Sequence, residues 1–271
     1  MVIRTETYRD LEEDIATTCD CVEEFIYEKI YDFDSQCFNG SDSDWDKFCE
    51  LMDHFIDENA DLNLIDEVYI YHLARHISEP TELLPLRELL LTQNHFSAFL
   101  ADNDVVFKEQ DGQLAFYYKQ HLITPQQLLS SGHNHLLARR LGYLGEADFC
   151  INGFTFWPDI EKTSDGYYRD LQFGPEVLGC IERYLGIDLC GAYRDKSNYY
   201  GMVFRVPIDE IIFDGKDSVV IREDKVRYLL KHSLLTLYGC YFHCPSNSNN
   251  PMIRIRDDAK AKIDHCILIE A

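Results

Sequence analysis

The sequence has no apolar run near the roughly 18 residues that a membrane-crossing helix needs. Its first residues, MVIRTETYRDLEED, contain no apolar segment of the signal-peptide kind. These absences set the expectation of a cytoplasmic protein without membrane attachment. In that compartment the ten cysteines read as reduced thiols, most of them small core residues, not as a disulfide framework. The chain also lacks G-x-G-x-x-G, a P-loop and G-x-S-x-G, so no motif supports a Rossmann, kinase or α/β-hydrolase fold. Positive charge is scarce: 25 Lys and Arg face 48 Asp and Glu, a formal net charge of −23. Such a field repels nucleic-acid phosphates, and direct nucleic-acid binding is not expected.

What is present is unevenly placed. Residues 1–66 hold 20 carboxylates against four cations (Arg4, Arg9, Lys29, Lys47), a net of −16, which leaves −7 for the other 205 residues. Leu11, Ile15, Val22, Phe25, Ile26 and Ile30 recur at helical spacing with carboxylates between them. A second helix is expected from Asp44 to Asp57, with Trp45, Phe48, Cys49, Met52 and Phe55 as its apolar stripe. Ser43 or Asp44 is its candidate N-cap, after a turn at 38–42. The expected division is an acidic helical region, 1–62, and a second region, 63–271. The acidic face suits a basic partner, and it equally suits simple solvation.

Glu67–Leu73 is rich in β-branched and aromatic residues and reads as a strand. A helix carrying Leu83, Leu86, Leu89 and Leu90 follows. Val105–Phe107 and Leu114–Tyr118 flank Asp111-Gly112, a hairpin signal. Thr124-Pro125 opens a helix expected to reach about Leu141. Strands are expected at Ile151–Trp157, Tyr200–Val206 and Glu210–Phe213, and helices at Gly166–Phe173, Glu176–Leu185 and Asp224–Tyr241. Met252–Ile255 and Ile263–Ile269 read as a closing antiparallel pair. Helices and strands mix without βαβα alternation, so the expected class is α+β, with a mixed, mostly antiparallel sheet.

Two small clusters invite a functional reading. Cys240, His243 and Cys244 lie close together, and His265-Cys266 stands near the end of the chain. Thiolates and imidazoles at close spacing can hold zinc, yet this spacing is not C-x2-C, and no metal site is expected. His133-Asn134-His135 matches the letters of a nuclease motif but precedes a helix in an acidic chain, and is read as coincidence.

The order of elements over residues 67–215 resembles the ADP-ribosyltransferase superfamily. Tyr71-His72-Leu73-Ala74-Arg75 ends the first strand, and Gly153-Phe154-Thr155-Phe156 opens a later one. Tyr167 and Tyr168 follow, and then Met202–Val206 leads to Asp209 and Glu210. The resemblance implies an enzyme that uses NAD, such as a toxin or defence effector. It gives His72 and Glu210 the catalytic roles, with Glu270 as the other candidate carboxylate, and gives Arg75, Tyr167 and Tyr168 the cofactor. The chemistry is consistent: a carboxylate stabilises positive charge on the ribose, an aromatic face takes the nicotinamide, and an arginine takes pyrophosphate. The chain has no Ser-Thr-Ser strand and no E-x-E or Q-x-E pair in that region. The alternative expectation is a non-enzymatic acidic protein, of the inhibitor or immunity type, that captures a basic protein through residues 1–62.

Overall fold

The structure, a computed structural model, describes residues 1–38, 43–130, 134–145, 148–162, 168, 170–243 and 250–269. The chain opens with β1 (Val2–Ile3), α1 (Tyr8–Thr18), α2 (Glu23–Cys37) and α3 (Trp45–Asn59). Strands β2 (Glu67–His76) and β3 (Glu82–Leu83) follow, then α4 (Leu86–Leu91) and α5 (His95–Asp102). A meander of β4 (Val105–Gln110), β5 (Gln113–Tyr118) and β6 (His121–Ile123) leads to α6 (Pro125–Ser130) and α7 (His135–Arg140). Next come β7 (Asn152–Phe154), α8 (Trp157–Lys162), α9 (Glu176–Leu185) and α10 (Cys190–Arg194). The last part holds β8 (Asn198–Pro207), β9 (Ile212–Phe213), α11 (Arg222–Tyr241), β10 (Met252–Arg254), β11 (Ala261–Lys262) and β12 (His265–Leu268). Helices and mostly antiparallel strands make an α+β fold.

The chain divides into two compact units made of interleaved segments. The first comprises Met1–Tyr71, Gly153–Thr163 and Arg205–Arg254, and the second His72–Asn152, Ser164–Phe204 and Ile255–Ala271. Strands β2, β7 and β8 each contribute residues to both.

In the first unit, α1, α2 and α3 pack on α11. The reason is visible in α11 itself. Val226, Leu229, Leu230, Leu234, Leu235, Leu237 and Tyr238 are all buried, so this helix is apolar around much of its girth and needs cover on several sides. The covering helices are amphipathic: Leu11 and Ile15, then Ile26, Ile30 and Phe33, then Phe48, Met52 and Phe55 point inward, and most carboxylates, though not the buried Asp14, occupy the outer faces. Asp44 caps α3, its side chain accepting a hydrogen bond from the Lys47 amide. The strand order here is β8, β2, β7, β10, β9, with β1 parallel to β2 at Val2–Glu67 and Ile3–Val68. Tyr71 pairs with Phe154, and Gly153 permits the close approach. A Cβ on Gly153 would stand 2.6 Å from Ile70 Cγ2 and 2.7 Å from the Tyr71 carbonyl oxygen.

The second unit has its own core, centred on Phe96, Phe99, Phe107, Phe116, Leu178, Ile181 and Tyr193. The β4–β5 hairpin has the register Val105–Tyr118 through Gln110–Gln113. Its turn residues Asp111 and Gly112 take φ 51° and 77°, the primed-turn geometry that their identities favour. Pro175 precedes α9, and Gly186 ends it in the left-handed region at φ 68°. Strand β12 pairs antiparallel with β8, and β11 with β3.

Several expected boundaries move. Trp157 begins α8 rather than ending a strand, and Pro158 sits in the first helical turn, where a missing N–H leaves no intrahelical bond unmade. Leu83 belongs to β3, because Pro85 starts α4 after it. The single helix expected from Pro125 to Leu141 is two helices, α6 and α7. Glu210 closes a 3-10 turn (Ile208–Glu210) instead of opening a strand. The two closing strands take different partners, β10 with β9 and β12 with β8. Of the helix expected at 166–173, residues 166, 167 and 169 lie outside the described residues, and Leu171–Phe173 is a 3-10 turn. The turn expected at 38–42 lies outside them beyond Phe38.

Candidate interaction surface

Residues four apart on a helix share one stripe of its surface. On α2, Tyr27 and Tyr31 form such a stripe away from the apolar one, and they are 48% and 54% exposed. Their rings stack with centroids 6.5 Å apart. Each rests on the end of α11 or the residue after it. Tyr27 meets Tyr241 edge-on at 5.0 Å, and Tyr31 stacks on Phe242 at 6.1 Å. Phe242 in turn contacts Tyr238 at 4.9 Å, and Tyr238 contacts Phe48 at 4.6 Å and Trp45 at 6.3 Å. A continuous aromatic ladder therefore joins the outer face of α2 to the start of α3.

Two hydroxyls pin the ladder. Tyr241 donates to Glu12 on α1 at 2.5 Å, and Tyr238 donates to Asp34 on α2 at 2.9 Å. Burial first, and the Glu12 carboxylate second, push the Tyr241 hydroxyl well above the ordinary tyrosine range, so it stays protonated and donates. Tyr27 and Tyr31 are thus held with one ring face or edge on a fixed support.

The carboxylates are not equally free. On α1, Asp10, Glu13 and Asp14 share Arg4, with the buried Asp14 at 2.8 Å, and Glu13 also takes Arg9. On α3, Asp53 pairs with Lys231 at 2.6 Å and Asp57 with Arg227, Glu58 lies 3.1 Å from His54, and Asp46 and Glu50 are exposed without an ion pair among the described residues. On α2, Glu23, Glu24, Glu28 and Asp32 are exposed and enter no ion pair among the described residues. The helix's own cation, Lys29, lies over the Phe25 ring at 5.1 Å. Unneutralised negative charge and exposed aromatic area therefore coincide on α2.

The residues singled out by the ADP-ribosyltransferase resemblance fall as follows. His72 and Arg75 belong to the second unit and Glu210 to the first. Tyr71 and Leu73 are buried and His72 is half-buried, the alternation expected of a strand. His72 Nδ1 lies 2.6 Å from the Asn152 carbonyl oxygen, and burial lowers its pKa. Arg75 is buried. Its Nε donates to Ser197 Oγ at 3.1 Å, Nη1 to Gln172 O at 2.9 Å, and Nη2 to Ser197 O at 2.8 Å and Arg194 O at 3.3 Å. Burial, then the charge of Arg194, lower its pKa. The Tyr168 carbonyl accepts from the Tyr199 hydroxyl at 2.9 Å, and Tyr168 itself is half-buried. Glu210 is exposed. Tyr167, Glu270, His133 and Cys244 lie outside the described residues.

Among the described residues no three metal-ligating side chains come together, and no helix is long and apolar enough to cross a membrane. Nine described cysteines are free. No family model matches the chain, and neither a curated protein nor a solved structure matches it significantly.

The sequence reading passed over Tyr27 and Tyr31. The signal was there: two tyrosines one helical turn apart, off the apolar stripe, each preceded three residues earlier by a glutamate (Glu24, Glu28).

Proposed function

We propose that this chain is a non-enzymatic binding protein that captures a basic protein partner through the acidic helices of its first unit. The observation that carries the reading is the row of exposed carboxylates on α2 that enter no ion pair among the described residues, whereas Asp14 on α1 and Asp53 and Asp57 on α3 are paired. Charge of one sign on a rigid surface speeds encounter with an oppositely charged partner and selects against acidic ones. The support is rigid, because α2 packs on α1, α3 and α11. The free thiols fit a reducing compartment such as the cytoplasm.

No comparable observation favours NAD chemistry. Arg75 directs its guanidinium at protein acceptors rather than leaving a fork open for pyrophosphate.

The test is capture by the immobilised full chain at about 50 mM and about 500 mM salt, followed by reconstitution from purified components. A partner with net positive charge, and an affinity that falls at least about tenfold across that range, is the expected result. A neutral or acidic partner, or an affinity indifferent to salt, would overturn the reading. Release of nicotinamide from NAD by the purified chain would replace it with the enzymatic one.

A further inference from the structure

We infer that the Tyr27–Tyr31 face of α2 is the docking site, and that its occupant is an arginine-rich segment of the partner protein. The inference rests on the capture reading and specifies where and by what chemistry it operates. Three observations carry it. First, Tyr27 and Tyr31 are among the most exposed large side chains of the first unit, and their rings are propped on Tyr241 and Phe242, so little rotamer freedom is lost on binding. Second, the pattern repeats with a period of one helical turn: Glu24 stands three residues before Tyr27, and Glu28 three before Tyr31. Residues three apart on a helix are surface neighbours, so each ring has a carboxylate at its edge. Third, these carboxylates are unpaired among the described residues, while Asp53 and Asp57 of α3 are met by α11.

This combination discriminates between cations. A guanidinium is planar, weakly hydrated, stacks on an aromatic face and pairs with a carboxylate through a fork of N–H groups. An ammonium is a compact, strongly hydrated point charge that gains less from the ring. The two Glu–Tyr steps are about 6 Å apart along the helix axis. Arginines on alternate residues of an extended segment are spaced by roughly 6.5 Å and can address both steps at once.

The experiment measures fluorescence anisotropy of labelled oligo-arginine and oligo-lysine peptides of equal length with the full chain at low salt. Three variants accompany the wild type: Tyr27→Ala with Tyr31→Ala, Tyr27→Phe with Tyr31→Phe, and Asp46→Asn with Glu50→Gln as a charge control on α3. Oligo-arginine is expected to bind at least about fivefold more tightly than oligo-lysine. The alanine pair should remove that preference, the phenylalanine pair should retain it, and the α3 control should leave it unchanged. Equal binding of the two peptides, or a preference unaffected by the alanine pair, overturns the docking site while leaving acidic capture standing. Absence of binding by either peptide overturns both.

Discussion

Lys231 of α11 extends its ammonium to within 2.6 Å of Asp53 Oδ2 on α3. One turn earlier, Arg227 of α11 reaches Asp57 of α3. The central helix of the first unit thus covers α3 with cations as well as with apolar surface. On α2 the exposed carboxylates Glu23, Glu24, Glu28 and Asp32 enter no ion pair among the described residues and stand on the same helix as the exposed Tyr27 and Tyr31.

Neutralising Lys231 should therefore have a mixed effect. The pair is half-exposed, and such pairs contribute up to about 1 kcal/mol. Lys231→Met is expected to lower stability by no more than that, read as a shift in the urea midpoint, and to strengthen capture of a basic partner by releasing Asp53. Unchanged or weaker capture would contradict a contribution of Asp53 to the field that the partner meets.

Arg75→Met should behave as a structural lesion. The substitution leaves the carbonyls of Gln172, Arg194 and Ser197 without their donor in a buried setting. Losses of about 3 kcal/mol or more are expected by urea unfolding. Capture of the partner by the protein that remains folded should be unchanged. A variant of native stability would contradict the reading of Arg75 as a packing hub.

The two faces of β2 should separate cleanly. Tyr71 is fully buried, packs against Trp157 at a ring distance of 5.5 Å and shares a hydrogen bond with Thr5. Tyr71→Ala is expected to cost about 3–5 kcal/mol. The half-buried His72 should cost much less as His72→Ala, about 1 kcal/mol, chiefly from its lost bond to Asn152. The reverse order in chemical denaturation would mean that the strand faces are inverted.

Acid should weaken the fold through buried histidines. The His232 ring lies 4.4 Å from Tyr228, and its Nδ1 is buried without a hydrogen-bond partner among the described residues. Burial, then the charges of Lys231 and Lys216, push its pKa down to about 4 from 6.5. His76 is shifted to about 4 in the same way, by burial and then by His72. Between those values the unfolded chain binds protons that the folded chain excludes. The stabilising contribution is therefore complete above about 6.5 and is lost as pH falls toward 4. Each histidine contributes on the order of 3 kcal/mol across that window. His232→Phe should flatten the fall of the urea midpoint between pH 6.5 and 4. An unchanged slope would place the titration elsewhere.

Much of the fold was legible because local signals were strong. Asp111-Gly112 specified the hairpin, Pro175 and Gly186 bracketed α9, and the apolar spacing of residues 11–30 marked α1 and α2. What escaped was non-local. Strand partners depend on which edges meet, so Met252–Ile255 and Ile263–Ile269 were paired with each other on adjacency alone. Trp157-Pro158 reads as the end of a strand, but proline is equally at home in a first helical turn. The aromatic ladder of Tyr27, Tyr31, Tyr241 and Phe242 draws on residues more than 200 positions apart. No periodicity within α2 announces that α11 will support those rings.

The most direct measurement is the association rate constant between the full chain and its purified captured partner, for the wild type and for Glu24→Gln/Glu28→Gln/Asp32→Asn. Electrostatic steering acts on the on-rate and is screened by salt. At low salt the wild type should associate at least about tenfold faster than the triple variant, and the difference should vanish near 0.5 M salt, where the Debye length is about 4 Å. Equal rates at low salt, with both proteins folded, would contradict capture through the acidic face of α2.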